Sequence, residues 1–133
     1  MTKFILSIDV ESLLSAHLPF IEAMSQVTTE LTRDGAIQRF EYTFELARKT
    51  MKRLLRAKGS DVNHPRDVFR EAAADHLISD PSPWFVFLEM RNKSTHIYKR
   101  EVVEEVFAEM PNFVIAMNDF ITKLNLLDAV EKQ

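Results

Sequence analysis

Residues 35–59 read GAIQRFEYTFELARKTMKRLLRAKG. Ile37, Phe40, Phe44, Ala47, Met51 and Leu54 recur there at spacings of three and four, with charges of both signs between them. That period puts one apolar stripe on a helix and leaves the opposite face to water. Gly59 stands where a helix-stopping glycine belongs. Phe40 and Phe44 lie on the stripe and read as core side chains rather than as a ligand box.

Outward from this helix the pattern repeats. Before it, a helix is expected from about Asp9 to Val27, with Leu13, Leu14, Leu18, Ile21 and Met24 turned inward and Pro19 loosening it. After it, NHPRDVFREAAADHLI (63–78) announces a third helix. Asn63 or His64 precedes Pro65 at the first helical position, and Val68, Ala72 and Leu77 face inward. A fourth begins near SDPSPWFVFLEM (79–90), capped by Asp80 or Ser82, with Trp84, Phe85, Phe87 and Leu88 supplying bulk. The fifth is long, running from Val102 to Leu124 through Val106, Met110, Phe113, Met117 and Phe120, and Pro111 should bend it. Short loops join these helices. The expected fold is all-α, an antiparallel up-and-down bundle of four to five helices in a single domain over residues 1–133.

Composition agrees. The chain has 133 residues, enough to bury roughly two-thirds of its unfolded surface. Two glycines and five prolines are scarce punctuation for a β-rich chain. The absence of cysteine excludes a disulfide scaffold, a zinc-thiolate site and cysteine catalysis. The apolar run FILSI near the start is too short for a secretory core, and no later segment is long enough to span a bilayer. A cytoplasmic protein without a membrane partner is the expectation. The net charge of −3 argues against a general nucleic-acid coat.

One stretch departs from this pattern. RNKSTHIY (91–98) holds Arg91, His96 and Tyr98, and Lys93, Lys99 and Arg100 make its surroundings basic without any acid. On an uninterrupted helix Arg91 and Tyr98 would lie about 20° apart and His96 about 140° from Arg91. If the fourth helix frays at Ser94 and Thr95 and the chain then extends, His96 and Tyr98 point the same way and Arg91 can lean toward them. The residues permit a convergent cluster at a helix junction, and equally a polar turn. His17 reads as interfacial or surface, and His64 as a loop residue. No HExxH or Glu-x-x-His pair suggests a metal, and no Gly-rich phosphate loop or Gly-x-Ser-x-Gly elbow is present.

Arg91, four residues, His96, one residue, Tyr98 is an Arg-x4-His-x-Tyr motif. With IQRFEYTFELARKTMKRLL and HPRDVFREAAADHLI in order before it, residues 30–125 resemble the HEPN family. More narrowly they resemble the HepT-type half of HEPN–MNT toxin–antitoxin pairs, also described as nucleotidyltransferase substrate-binding proteins. The resemblance implies a helical homodimer with the Arg/His junctions of both protomers in one cleft. It implies a metal-independent endoribonuclease needing no cofactor, with Arg91 and His96 catalytic and RNA as substrate. It further implies a minimal nucleotidyltransferase antitoxin that transfers AMP to Tyr98. Lys93, Lys99 and Arg100 are expected to aid RNA or nucleotide binding. An alternative carried by the same family is a non-catalytic subunit that presents a nucleotide or other substrate to a separate transferase. The chain departs from the family pattern in three places: Arg48 stands where an aromatic is expected, Lys93 where an apolar residue is, and Lys99 and Arg100 where an acidic or amide cap is.

Overall fold

The computed structural model describes residues 3–132. A short antiparallel hairpin, β1 (Phe4–Ile5) and β2 (Ile8–Asp9), precedes five helices: α1 (Glu11–Ser25), α2 (Glu30–Ala57), α3 (Pro65–Ala74), α4 (Ser82–Lys93) and α5 (Arg100–Glu131). A single turn of 3₁₀ helix, Ser94–His96, follows α4. The fold is the expected all-α antiparallel bundle, with α1 and α2 packed along one another and α4 against α5. Among the described residues, no helix is long and apolar enough to cross a membrane.

Phe113 of α5 is the hub of the interior. Its ring lies 4.8 Å from Phe40, 5.1 Å from Phe87 and 5.3 Å from Phe20, each edge to face. Trp84 stands 6.0 Å away and reaches on to Phe44, Phe69 and Phe120. All are buried. Edge-to-face pairing at these separations adds to what burial alone contributes. All five helices place a ring in this cluster, α3 through Phe69, so one set of side chains ties the bundle together.

The ends of the helices show where the sequence was explicit. Thr29 caps α2 by accepting the Thr32 amide, and the Thr32 hydroxyl accepts the Thr29 amide in turn. At its other end Gly59 takes φ +96°, Gly59 N–H donates to Arg56 O at 3.0 Å and Ser60 N–H to Leu55 O at 2.9 Å. Those bonds are the glycine-closed ending that the sequence predicted. His64 caps α3 through its Nδ1, as its place before Pro65 allowed. At α4, Asp80 accepts the Ser82 amide at 2.9 Å, although Pro81 holds the cap position.

Four expectations are corrected. Leu18 is 59% exposed, and the buried stripe of α1 is instead Leu13, Ala16 and Phe20. On a helix Leu18 lies about 140° from Leu13, too far round to share its face. The third helix stops at Ala74 rather than running on to Ile78. His76, at φ +61°, closes it with the same pair of bonds that Gly59 makes, His76 N–H to Ala73 O and Leu77 N–H to Ala72 O. A side chain in that conformation is costly, and the reversal buries Leu77 and Ile78 in return. The hairpin was not anticipated. Leu6 and Ser7 both adopt positive φ, the turn that suits a right-twisted two-residue hairpin. It is clasped to the end of α5 by Lys3–Asp128 at 2.8 Å and by Leu6 N–H to Glu131 at 2.9 Å. The fourth correction concerns the segment after α4. Residues 94–96 form a 3₁₀ turn continued by a helical Ile97, and Lys99 is extended.

Candidate functional site

α4 ends because its own side chains take up the carbonyls that another turn would need. Ser94 Oγ donates to Arg91 O at 2.7 Å, and Thr95 Oγ1 to Asn92 O at 3.2 Å. Hydroxyls so close in sequence compete with the helix for its backbone. Ser94 is buried, and Ile97 packs against the core. With these two anchored inward, Thr95, His96 and Tyr98 face water. α5 then starts at Arg100 with Lys99 at its cap, and no side chain caps it. The absence of an acidic or amide residue here therefore leaves the first amides of α5 without a side-chain partner.

His96 and Tyr98 meet. His96 Nδ1 and the Tyr98 hydroxyl are 3.0 Å apart, and the rings stand edge to face at 5.6 Å. Tyr98 is 76% exposed, so its oxygen is open to a second reactant. Lys99 Nζ lies 5.9 Å from the centre of the tyrosine ring, at cation–π range. The pair forms although the segment is turned rather than extended, because Ile97 between them points into the core.

Arg91 is placed differently from the expectation that it leans toward the other two. Its guanidinium pairs across to α2, with Nη1 3.4 Å from Glu41, and its Nε is enclosed without a hydrogen-bond partner. Charge-assisted bonds at their strongest are about 2.7–2.9 Å, so Glu41 holds this arginine loosely. Glu41 was not foreseen. The only hint was its place beside the buried Phe40, and no local spacing rule links position 41 to position 91.

The flanking cations divide. Lys93 is clasped between helices, 2.7 Å from Glu105 of α5 and 3.4 Å from Glu89. The Glu105 hydrogen bond, with Glu89 adding to it, holds its ammonium above the usual lysine range despite some desolvation. An apolar residue here would lose that link between α4 and α5. Arg100 pairs at 3.4 Å with Glu104 and is almost fully exposed. Among the described residues Lys99 has no carboxylate at ion-pair distance. His17 of α1 faces Asn118 of α5, and burial lowers its imidazole, with Asn118 partly offsetting this. Among the described residues no three of His, Asp and Glu gather as metal ligands would.

Comparison with known proteins places the chain among relatives of the same fold. Residues 9–126 match the family described as nucleotidyltransferase substrate binding protein like. Over 95 residues the chain is 35% identical to a protein of Haemophilus influenzae named probable ribonuclease HepT, a match spanning 68% of this chain and 65% of that relative's length. A solved structure from the same organism, HI0074, described as the fold of a substrate binding domain of a nucleotidyltransferase, superposes with a TM-score of 0.80 at 27% identity. It covers 87% of this chain and 98% of its own. A crystal structure from Thermus thermophilus superposes with a TM-score of 0.78 at 26% identity, covering 84% and 98%.

Proposed function

The chain belongs to the family of nucleotidyltransferase substrate binding proteins, and from that premise we propose that it is a HepT-like, metal-independent endoribonuclease. Its partner is a minimal nucleotidyltransferase antitoxin, which silences it by transferring AMP from ATP to the Tyr98 oxygen as pyrophosphate leaves. The observation that carries this reading is the 3.0 Å contact between His96 Nδ1 and the exposed Tyr98 hydroxyl, five residues after Arg91 in the last turn of α4.

The contact suits both halves of RNA cleavage. In the neutral ring with Nδ1 donating to the tyrosine oxygen, Nε2 is a free base that takes the 2′-hydroxyl proton. In the imidazolium both nitrogens carry protons, Nδ1 still donates to the tyrosine oxygen, and Nε2 gives its proton to the leaving 5′-oxygen. A homodimer that faces two junctions across one cleft supplies one of each. The 2′-oxygen then bonds to phosphorus as the phosphorus–5′-oxygen bond breaks. Arg91, loosely held by Glu41, turns its charge to the phosphate oxygens, where the transition state needs it.

AMP on the Tyr98 oxygen removes the phenol proton and sets a phosphodiester charge beside His96. Nearby negative charge favours imidazolium, so the base is lost, and the added bulk bars RNA. The name of the Haemophilus relative supports the nuclease half of this reading.

The test is expression without the partner. Wild type is expected to halt growth and fragment RNA, and His96→Ala to do neither. A second reading, a non-catalytic substrate- or nucleotide-binding subunit, is favoured by the family description and by that of HI0074. It wins if the wild type binds the transferase yet leaves growth and RNA intact.

A further inference from the structure

α2 carries Arg48, Lys49, Lys52, Arg53 and Arg56 within nine residues, with no acid among them. Their side chains line one shallow concavity of about 240 Å³. Cations elsewhere are mostly matched: Lys58 by Asp75, Arg70 by Asp67 and Lys123 by Asp119. In the concavity Arg48 has Glu45 at 2.9 Å and Arg56 has Asp61 at 3.8 Å, both exposed in the latter pair. Among the described residues, Lys49, Lys52 and Arg53 have no carboxylate at ion-pair distance.

The spacing works against the helix itself. Positions 48 and 52, 49 and 53, and 52 and 56 are four apart, and 49 and 52, and 53 and 56, are three apart. Like charges at both spacings destabilise an isolated helix. Packing does not require them, since the buried positions of this segment are Ala47, Thr50, Met51, Leu54 and Leu55. An arrangement that the fold opposes and the core does not use points to an anion outside the molecule.

The stripe also leads away from the candidate site. Glu41, which holds Arg91, and Arg48 lie within about 20° on α2 and about 10 Å apart along its axis, and Lys52 is about 6 Å further on. The two acids on this path are each held by an arginine, Glu41 by Arg91 and Glu45 by Arg48. We propose that this face of α2 binds the sugar-phosphate backbone of single-stranded RNA outside the cleavage junction, steering and holding the strand that Arg91 and His96 act on. This rests on the nuclease reading for its substrate. Contacts to phosphate alone carry no sequence preference, so the stripe would supply affinity rather than choice of target.

The test uses Lys49→Gln/Lys52→Gln/Arg53→Gln in the full chain, with a fluorescein-labelled oligouridylate of about 16 nucleotides as probe. Removing like charges should leave the Tm at or above that of wild type. Affinity by anisotropy should fall at least about tenfold at low salt. Each single-strand phosphate contact contributes about 0.7 to the slope of log affinity against log salt, so the slope should flatten by about 2. Cleavage of the same oligonucleotide is followed separately. If wild type binds with this slope and does not cleave it, the stripe stands and the nuclease reading fails. If wild type cleaves and the triple variant keeps both affinity and slope, the stripe proposal is overturned and the nuclease stands. Failure of wild type to bind the probe overturns the stripe, as does a variant that loses only its transferase partner, which would assign the face to an acidic protein surface.

Discussion

The ring cluster around Phe113 and the junction from Arg91 to Arg100 use the same kinds of residue to opposite ends. Inside, aromatics from all five helices touch one another and none sees water. At the junction the one aromatic, Tyr98, is 76% exposed and touches a histidine that is also exposed. The interior is over-determined, since each ring has several neighbours. The junction hangs on two anchors, Ser94 and Ile97, with little else restraining the side chains between and beyond them. Stability and the proposed chemistry therefore sit in different residues, and each can be removed without the other.

The largest effect should come from the interior. Phe113→Ala deletes the ring shared by α1, α2, α4 and α5, and large-to-small changes of this kind cost about 3–5 kcal/mol. A fall in Tm of roughly 10 °C or more is expected by calorimetry. A shift of only a degree or two would mean the cluster repacks and is not the hub described.

His96→Ala should do the reverse. An exposed side chain contributes within about 0.5 kcal/mol to stability, so Tm should hold. Loss of a positioned acid–base group should lower RNA cleavage by about 10²–10⁴-fold. Unfolding of this variant would erase the contrast between the two regions, and retained cleavage would remove His96 from the reaction.

Tyr98→Phe sharpens the contrast further, because it keeps the ring and removes one oxygen. Tm should be close to wild type, and cleavage should be retained and still depend on Arg91 and His96, lowered only as far as the lost hydroxyl helps to hold the imidazole. Co-expressed with the transferase, wild type should gain AMP by intact-mass spectrometry and the variant should not. Equal gain in both proteins would move the acceptor elsewhere.

The smallest effect concerns a polar clasp at the rim of the core. Asp119 on α5 accepts the Ser79 amide at 2.9 Å and its hydroxyl at 2.6 Å, with Lys123 at 3.3 Å. Burial pushes its carboxyl up, but the Ser79 bonds and Lys123 outweigh this and hold it below the ordinary range. A depressed folded value gives stability that is present above the unfolded value of about 3.9 and lost as pH falls through the folded one. Asp119→Asn should lower Tm slightly at pH 7, and the gap should close below about pH 4. Melting curves that stay parallel down to pH 3 would remove the clasp from the acid limb.

Much of this was legible in the residues themselves. The stripe from Ile37 to Leu54, the glycine ending at Gly59 and the proline-opened third helix are local patterns, and local hydrogen bonding and helical period suffice to read them. The motif from Arg91 to Tyr98 was visible for the same reason. The break after α4 was permitted by the residues but not required by them, and the structure makes it through Ser94 and Thr95, which bond carbonyls three residues away. What remained hidden depended on comparing burials that no short window contains. Helical period alone sets Leu18 away from Leu13, but that Phe20 meets Phe113 of α5 could not be read locally. His76 takes a glycine's backbone because burying Leu77 and Ile78 outweighs its strain. Glu41 meets Arg91 only because α2 and α4 pack side by side. Sequence determined the helices and the residues that can do chemistry, because both are written within a few positions. Tertiary structure alone decided which charges face each other and where a helix without a glycine must end, because those outcomes belong to packing between elements distant in the chain.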